Sequence, residues 1–406
     1  MQSTKMRPIG KTIPLDDARA IIDRSIRPIE RTERVSLFDA HGRVLARDLI
    51  SADDVPPFAR AAMDGYAVRA EDTFGASRDE PITLLRLEQV FTGQVPLYEL
   101  GAGQCTEIAT GAPMPDGANA VVIVEDTDAD GDEIRVFASV EARQNVGRQG
   151  SDIQAGQTVL RAGEHLTPSR VGAAAALGEA EVEVYARPRV AILSTGNEIA
   201  AAGERLGPGQ IYDINRYTLT AIVAENGGVP VPLRTVSDSI DDLLRALDES
   251  IAEDVLVFSG GSSVGERDLM LDAIAARGNV LFHGISVKPG KPTAFGIIDG
   301  KPIFGMPGYP TSCLTNAYIL LAPALRFIGR LPVRVPRTMT LPLGQRVVSA
   351  PGRHQFYTVR IENAVAMPAF KASGDITSMS RADGYIEIPL DTNILEQGTR
   401  VEVTLF

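Results

Sequence analysis

The segment Val255 to Gly265, VLVFSGGSSVG, constrains the fold more than any other. The apolar run Val255, Leu256, Val257 and Phe258 stops at Ser259, Gly260, Gly261, Ser262 and Ser263, and a helical pattern opens behind it from Glu266. The expected structure is a buried strand that delivers a polar loop to a helix. Small residues let backbone N–H groups approach a ligand closely, hydroxyls add donors, and a helix start favours negative charge by about 0.3–1 kcal/mol. The expected guest is an anion.

The same alternation of strand and helix runs through 183–330. VAILSTG precedes NRYTLTAIVAENGG, and VPLRTV precedes a helix from Ser239 with Ile240, Leu243, Leu244, Leu247 and Ile251 on one face. VLFHGISV, TAFGIID and KPIFGMPG add strand material before a helix from Thr311. This predicts an α/β domain with a doubly wound, mostly parallel sheet and right-handed crossovers.

The flanking regions read differently. Leu15, Ala18, Ile21, Ile22 and Ile26 recur at helical spacing within 14–28, with Asp16 and Asp17 in the first turn. From Pro57 to about Asn145 short strands (ITLLRLEQVF, CTEIATG, AVVIVED, EIRVFASV) alternate with Gly, Pro and Asp turns, as in a small β barrel or sandwich. Residues 146–182 resemble a connector, with an Ala-rich helix from Ser169 to Leu177 stopped by Gly178. After Pro332 and Pro336 the chain is strand-rich again. The expected organisation is an elongated connector and dimerisation domain (1–50 and 146–182), a small β-barrel domain (51–145), the α/β domain (183–330) and a C-terminal β domain (331–406).

Composition narrows the function. A chain of 406 residues exceeds one ordinary core. Its net charge of −12 argues against nucleic acid, whose phosphates are held by clustered Lys and Arg, but leaves room for a small phosphorylated ligand. Cys105 and Cys313 offer neither a disulfide framework nor a metal pair, which fits a reducing cytoplasm. No leader-like apolar core opens the chain, and VGAAAALG and YILLAPAL fall short of the roughly 20 residues a membrane span needs. His41, His165, His283 and His354 match no zinc spacing.

Ligands of open α/β sheets bind beyond the carboxyl ends of the strands. This chain places there Ser194, Thr195, Gly196 and Glu198; Asp238; the Ser259–Ser263 loop with Asp268; Lys288, Lys291 and Pro292 of KPGKP; and the turn from Met306 to Pro310. Each alone also fits a structural role: Asp238 as a helix cap, the lysines in a solvated turn, Glu198 as a surface acid. Together, three carboxylates, two lysines and two Gly-Ser loops suit a site for an anion and a divalent cation. No G-x-x-x-x-G-K-[ST], G-x-G-x-x-G or G-x-S-x-G motif occurs, so positioning and charge stabilisation are favoured over covalent catalysis.

The motifs PPFARAAMDGYAV (56–68), ATGAPMPDGANAVV (109–122), NVGRQGSDI (145–153), STGNEI (194–199), GQIYDINR (209–216), SGGSSVGERD (259–268), KPGKP (288–292) and GMPGYPTS (305–312) occur in one order across nearly the whole chain. In this the sequence resembles the molybdopterin molybdenumtransferases, the MoeA family to which the gephyrin E domain is related. The resemblance implies a four-domain homodimer with a MogA-like α/β domain and a cleft completed across subunits. It also implies that molybdate is inserted into adenylylated molybdopterin, AMP is released and Mg²⁺ or a similar cation assists. On that footing Glu198, Asp238 and Asp268 are metal-binding or catalytic acids, and Asp64 joins them. Ser194, Thr195, Gly196, Ser259, Gly260, Gly261 and Ser262 bind the pterin nucleotide. Lys288, Lys291, Pro292, Arg353 and Ser378 bind the oxyanion, and Thr110 and Asp152 contribute from the barrel and connector.

Two positions depart from the family pattern: Tyr309 stands for the Asn of G-L-P-G-N-P, and Thr358 follows Phe356 where many members have arginine. Alternatives are a tungstate-preferring paralogue, a molybdopterin adenylyltransferase, which is otherwise an expected partner, and a gephyrin-like scaffold.

Overall fold

The computed structural model describes residues 11–237, 239–260 and 269–406. It divides into two compact units, one made of 34–41 and 45–183, the other of the described residues through 33, 42–44 and 184–406.

The amphipathic helix α1 (Leu15–Ser25) buries Leu15, Ala18 and Ile22. In the first-named unit six strands follow: β1 (Gly65–Val68), β2 (Ile82–Val90), β3 (Gln104–Ile108), β4 (Ala120–Ile123), β5 (Thr127–Asp130) and β6 (Glu133–Val136). They form one sheet in the order β4-β1-β3-β2-β6-β5 around Tyr66, Val68, Leu84, Cys105, Val122, Ile134 and Val136. Asp64-Gly65, a pair common in tight turns, launches β1 here. Gly65 is needed there because a Cβ would fall 1.9 Å from Val122 O. Helix α2 (Pro168–Ala176) is capped by Thr167, has Pro at its first position and is followed by Gly178 at φ +79°.

The second unit carries β7 (Arg189–Ser194), α3 (Asn215–Glu225), β8 (Val229–Pro232), α4 (Ile240–Ser250), β9 (Val255–Ser259), α5 (Leu269–Arg277), β10 (Gly278–His283), β11 (Ala294–Ile298) and β12 (Lys301–Met306). The sheet order is β8-β7-β9-β12-β11-β10. The pairs β8–β7, β7–β9 and β9–β12 are parallel, whereas β12–β11 and β11–β10 are antiparallel. The sheet is therefore mixed: a short turn joins β11 to β12 in place of a helix, so that pair must run antiparallel.

Alternation along the strands splits the core in two, as expected for strands buried on both faces. Val190, Ile192, Val255, Val257 and Phe304 share one cluster with α1 and α3 residues such as Ile22 and Leu219. Ala191, Leu193, Leu256, Phe258 and Ile303 share the other with Leu243, Leu247 and Ile274. The first face is also covered by α6 (Pro310–Asn316), a π-helical turn (Ala317–Leu321) and α7 (Ala322–Ile328). Together these make a 19-residue apolar helical run long enough to cross a membrane, yet 72% of its most apolar window is buried in the protein. The run YILLAPAL is thus only part of this longer helix, which serves as core, whereas VGAAAALG belongs to α2 and its C-terminal end.

The C-terminal part has β13 (Thr338–Pro342), β14 (His354–Glu362), β15 (Val365–Pro368), β16 (Gly384–Ile388) and β17 (Arg400–Leu405). Its sheet runs from the short strand Val287–Lys288 through β14, β16 and β17 to β13, with β15 against β14. The KPGKP segment thereby links the two sheets of this unit. The fold is multidomain, α/β plus β.

Candidate active site

Strand register fixes one rim. Ser194 is opposite Ser259, Ser259 opposite Met306, and Gly305 opposite Ala294. The segments after β7, β9 and β12, and the segment before β11, therefore emerge at the same edge of the sheet. This is the carboxyl edge of the parallel strands, where the sequence places Thr195–Glu198, Gly260, Lys288–Pro292 and Met306–Pro310.

Glycines let these segments meet. Gly260 has φ +107°, and a Cβ on it would lie 2.3 Å from Thr195 O; Gly308 abuts Gly260 Cα. Thr195 N–H donates to Ser259 O at 3.0 Å. The Glu198 carboxylate folds over Gly196, where a Cβ would lie 2.7 Å from Glu198 Oε2, and the side chain is otherwise exposed.

Asn215, at the start of α3, holds two of these segments together. Its Nδ2 donates to Ser259 Oγ at 2.6 Å and to Gly308 O at 2.8 Å. Asp213 Oδ1 accepts from Arg216 N–H at 2.9 Å, a capping bond for the same helix. Ser194 Oγ, Asp213 Oδ2 and Asn215 Oδ1 are buried with no partner among the described residues. Orphaned buried polar atoms are rare and need a reason; here they gather beneath one rim. Cys313 packs under Ser259, and burial pushes its thiol up to about 12, so it is not a nucleophile at neutral pH.

The KPGKP turn is clamped from α6. Asn316 Nδ2 donates to Gly290 O at 2.8 Å and to Thr293 Oγ1. Thr293 Oγ1 donates to Gly290 O at 2.9 Å, and Ile285 and Thr293 N–H both donate to Lys291 O. Lys288 pairs in register with Gln355, whose Oε1 accepts from Ser349 Oγ and Ala350 N–H, each at 3.1 Å. The Lys288 and Lys291 side chains are half-buried, and neither ammonium meets a carboxylate among the described residues. Arg353 is exposed and directly precedes His354, the register partner of Val287.

Other expected residues fall elsewhere. Asp238, Gly261, Ser262 and Asp268 lie outside the described residues. Among the described residues no three His, Cys, Asp or Glu side chains assemble as a metal site. Of the three expected metal ligands, only Glu198 lies among the described residues. Pro292 is half-buried on the rim turn. Ser378 is fully buried, and its hydroxyl accepts from Lys371 N–H at 3.0 Å, so it presents no free surface to an anion. Thr358 is buried on β14, and its Oγ1 has no partner among the described residues.

Asp64, Thr110 and Asp152 belong to the other unit. Asp64 Oδ1 accepts from Thr110 N–H at 2.6 Å and Thr110 Oγ1 at 2.8 Å, and these bonds hold its carboxyl below the usual range. Asp152 is exposed, with its N–H bound to Val55 O.

Asn215, Asn316 and Gln355 were not legible as site residues in the sequence. The signals were the motif GQIYDINR, which contains Asn215, and one asparagine inside the apolar run TSCLTNAYILL.

Comparison with known proteins agrees with the motif order. Three family models match in sequence: the MoeA N-terminal region (domain I and II) over 13–178, a probable molybdopterin binding domain over 191–326, and the MoeA C-terminal region (domain IV) over 340–406. Molybdopterin molybdenumtransferase 2 of Mycobacterium tuberculosis is 35% identical, over 94% of this chain and 95% of that protein. The molybdopterin molybdenumtransferase of Bacillus subtilis is 32% identical over 97% of this chain and 94% of its own. A crystal structure of a molybdopterin biosynthesis MoeA protein from Pyrococcus horikoshii has a TM-score of 0.85 at 40% identity, covering 97% of this chain and 99% of that one. The chain belongs to the MoeA family, the molybdopterin molybdenumtransferases of molybdenum cofactor biosynthesis.

Proposed function

We propose that the substrates are adenylylated molybdopterin and molybdate, that the oxyanion enters the dithiolene and that AMP is released. The observation that carries this reading is the pair Lys288 and Lys291, half-buried on a clamped turn without a counter-charge among the described residues. A tetrahedral dianion would supply that charge, each charge-assisted hydrogen bond contributing about 1.5–3 kcal/mol. Arg353 would add a third cation at the same turn.

The pterin nucleotide would lie along Thr195, Gly196, Ser259 and Gly260, where small residues allow backbone approach. Asn215 holds those loops in place before the ligand arrives, so no ordering cost falls on the reacting complex. Asp64, ionised and bonded by Thr110, is a catalytic acid in this reading, with Thr110 a substrate contact. Mg²⁺ held by Glu198, Asp238 and Asp268 would stabilise charge on the released phosphate. The described residues do not by themselves form that metal site, so substrate binding in this reading rests on the lysines and the loops. Ser378 would need to break its bond to Lys371 N–H before it could touch the anion.

The same reading includes a homodimer, a cytoplasmic setting, a MogA-like description of the 189–306 sheet and the four-domain boundaries expected from the sequence. The test is to supply adenylylated molybdopterin, Mg²⁺ and either molybdate or tungstate, and to measure AMP. AMP release that depends on the oxyanion and needs no ATP is expected; no AMP release, with ATP consumed and pyrophosphate formed when free molybdopterin is supplied instead, would favour an adenylyltransferase.

A further inference from the structure

Tyr309 is 68% exposed where the rim segment after β12 turns into α6. Its backbone is fixed. Pro310 follows and keeps it extended, at φ −67° and ψ 127°. Gly308 precedes it, with its carbonyl held by Asn215 and its Cα against Gly260. On the far side Thr311 N–H donates to Ser373 O at 3.1 Å and Thr311 Oγ1 to Asp375 O at 2.8 Å. This brings Gly374 against the ring, where a Cβ would lie 3.8 Å from Tyr309 Cδ1. Gly308 precedes the aromatic in the chain, Gly374 lies against its ring, and most of its surface is left open.

A ring so anchored loses little entropy on contact with a planar ligand, since it has only two side-chain torsions to fix. We propose that Tyr309 is the stacking platform for the planar bicyclic ring of the substrate, adenine or pterin, and so a specificity-determining residue at this rim. The inference rests on the reading that an adenylylated pterin is bound here. An asparagine at this position, as in the common family pattern, offers no aromatic face.

The test titrates AMP, ribose 5-phosphate and 6-hydroxymethylpterin separately into the full-length wild type, Tyr309→Phe and Tyr309→Ala by calorimetry. Tyr309→Ala should weaken AMP or the pterin by about 5- to 150-fold, the usual range for one lost base–aromatic stack, and leave ribose 5-phosphate unchanged. Tyr309→Phe should keep wild-type affinity for all three. The ring-bearing ligand that responds identifies which ring stacks. Equal weakening of AMP and ribose 5-phosphate, or unchanged affinity for both AMP and the pterin, would overturn the proposal. Absence of AMP release by wild type would instead overturn the underlying reading, and it is measured independently.

Discussion

Gly290→Ala tests the clamp that presents the two lysines. Gly290 has φ +107°, a conformation that side-chain-bearing residues avoid at a cost of about 1–3 kcal/mol. A Cβ would lie 2.3 Å from Asn316 Nδ2 and 2.6 Å from Asn316 Oδ1. The amide of Asn316 cannot withdraw freely, because the residue is fully buried and Nδ2 is donating to Gly290 O and Thr293 Oγ1. Gly290 O would keep its bond from Thr293 Oγ1, but the displaced amide would be left unsatisfied, at about 1–3 kcal/mol. The two effects together cost about 2–6 kcal/mol, and shifting the turn relieves both. The lysines move with it. The assay is molybdate affinity by calorimetry at fixed ionic strength, with amide exchange at Thr293, whose N–H donates to Lys291 O at 2.9 Å. Faster exchange and at least about tenfold weaker molybdate binding are expected, since about 1.4 kcal/mol of lost anion contact already gives tenfold. Wild-type affinity with unchanged exchange at Thr293 would show that the clamp does not set the position of the lysines.

Lys288→Met should weaken molybdate binding by about 10- to 150-fold and flatten its salt dependence, as expected for loss of a charge-assisted contact; a calorimetric titration at two salt concentrations reads both. Cys105 and Cys313 are buried and their thiols are pushed up to about 12, so neither should react with a thiol reagent at neutral pH until the protein unfolds, as counted by Ellman titration of native and denatured protein. Glu387 accepts from His354 Nε2 at 2.9 Å, and that bond holds its carboxyl below the usual range. A depressed folded pKa means the stabilisation is complete above the ordinary carboxylate value of about 4.3 and is lost as pH falls through the folded value. Denaturation midpoints taken across this acid range should therefore fall less steeply in His354→Gln than in wild type.

The α/β region was legible because its strands are continuous apolar runs that end in Gly and Ser, and the structure keeps that pattern in β7 and β9. Helix α2 is legible from its Ala-rich run and the Gly178 stop, although it starts one residue earlier, at Pro168. The antiparallel β11–β12 pair was missed as such, because periodicity shows that a segment is a strand and not which way it runs. Strand β1 hid behind an Asp-Gly pair whose glycine answers to a close backbone approach from Val122, a contact set by a segment more than fifty residues away. The site shows the same division. Lysines and loops announce themselves by type and spacing, whereas Asn215 and Asn316 act by bonding to distant backbone, which no local pattern encodes. Conversely, Ser378, expected at the oxyanion only through the family resemblance, is completely buried by packing.

If the clamped lysine turn and the adjoining Ser-Gly loops bind an oxyanion and a pterin nucleotide for one reaction, losing a lysine must move the oxyanion dependence of nucleotide release. AMP release from adenylylated molybdopterin by wild type and by Lys288→Met, with Mg²⁺ present and molybdate varied, measures that link in one experiment. Molybdate-dependent release by wild type is expected, with the Lys288→Met curve shifted to at least about tenfold higher molybdate. No release with either molybdate or tungstate, or a Lys288→Met curve that overlays wild type, would contradict it.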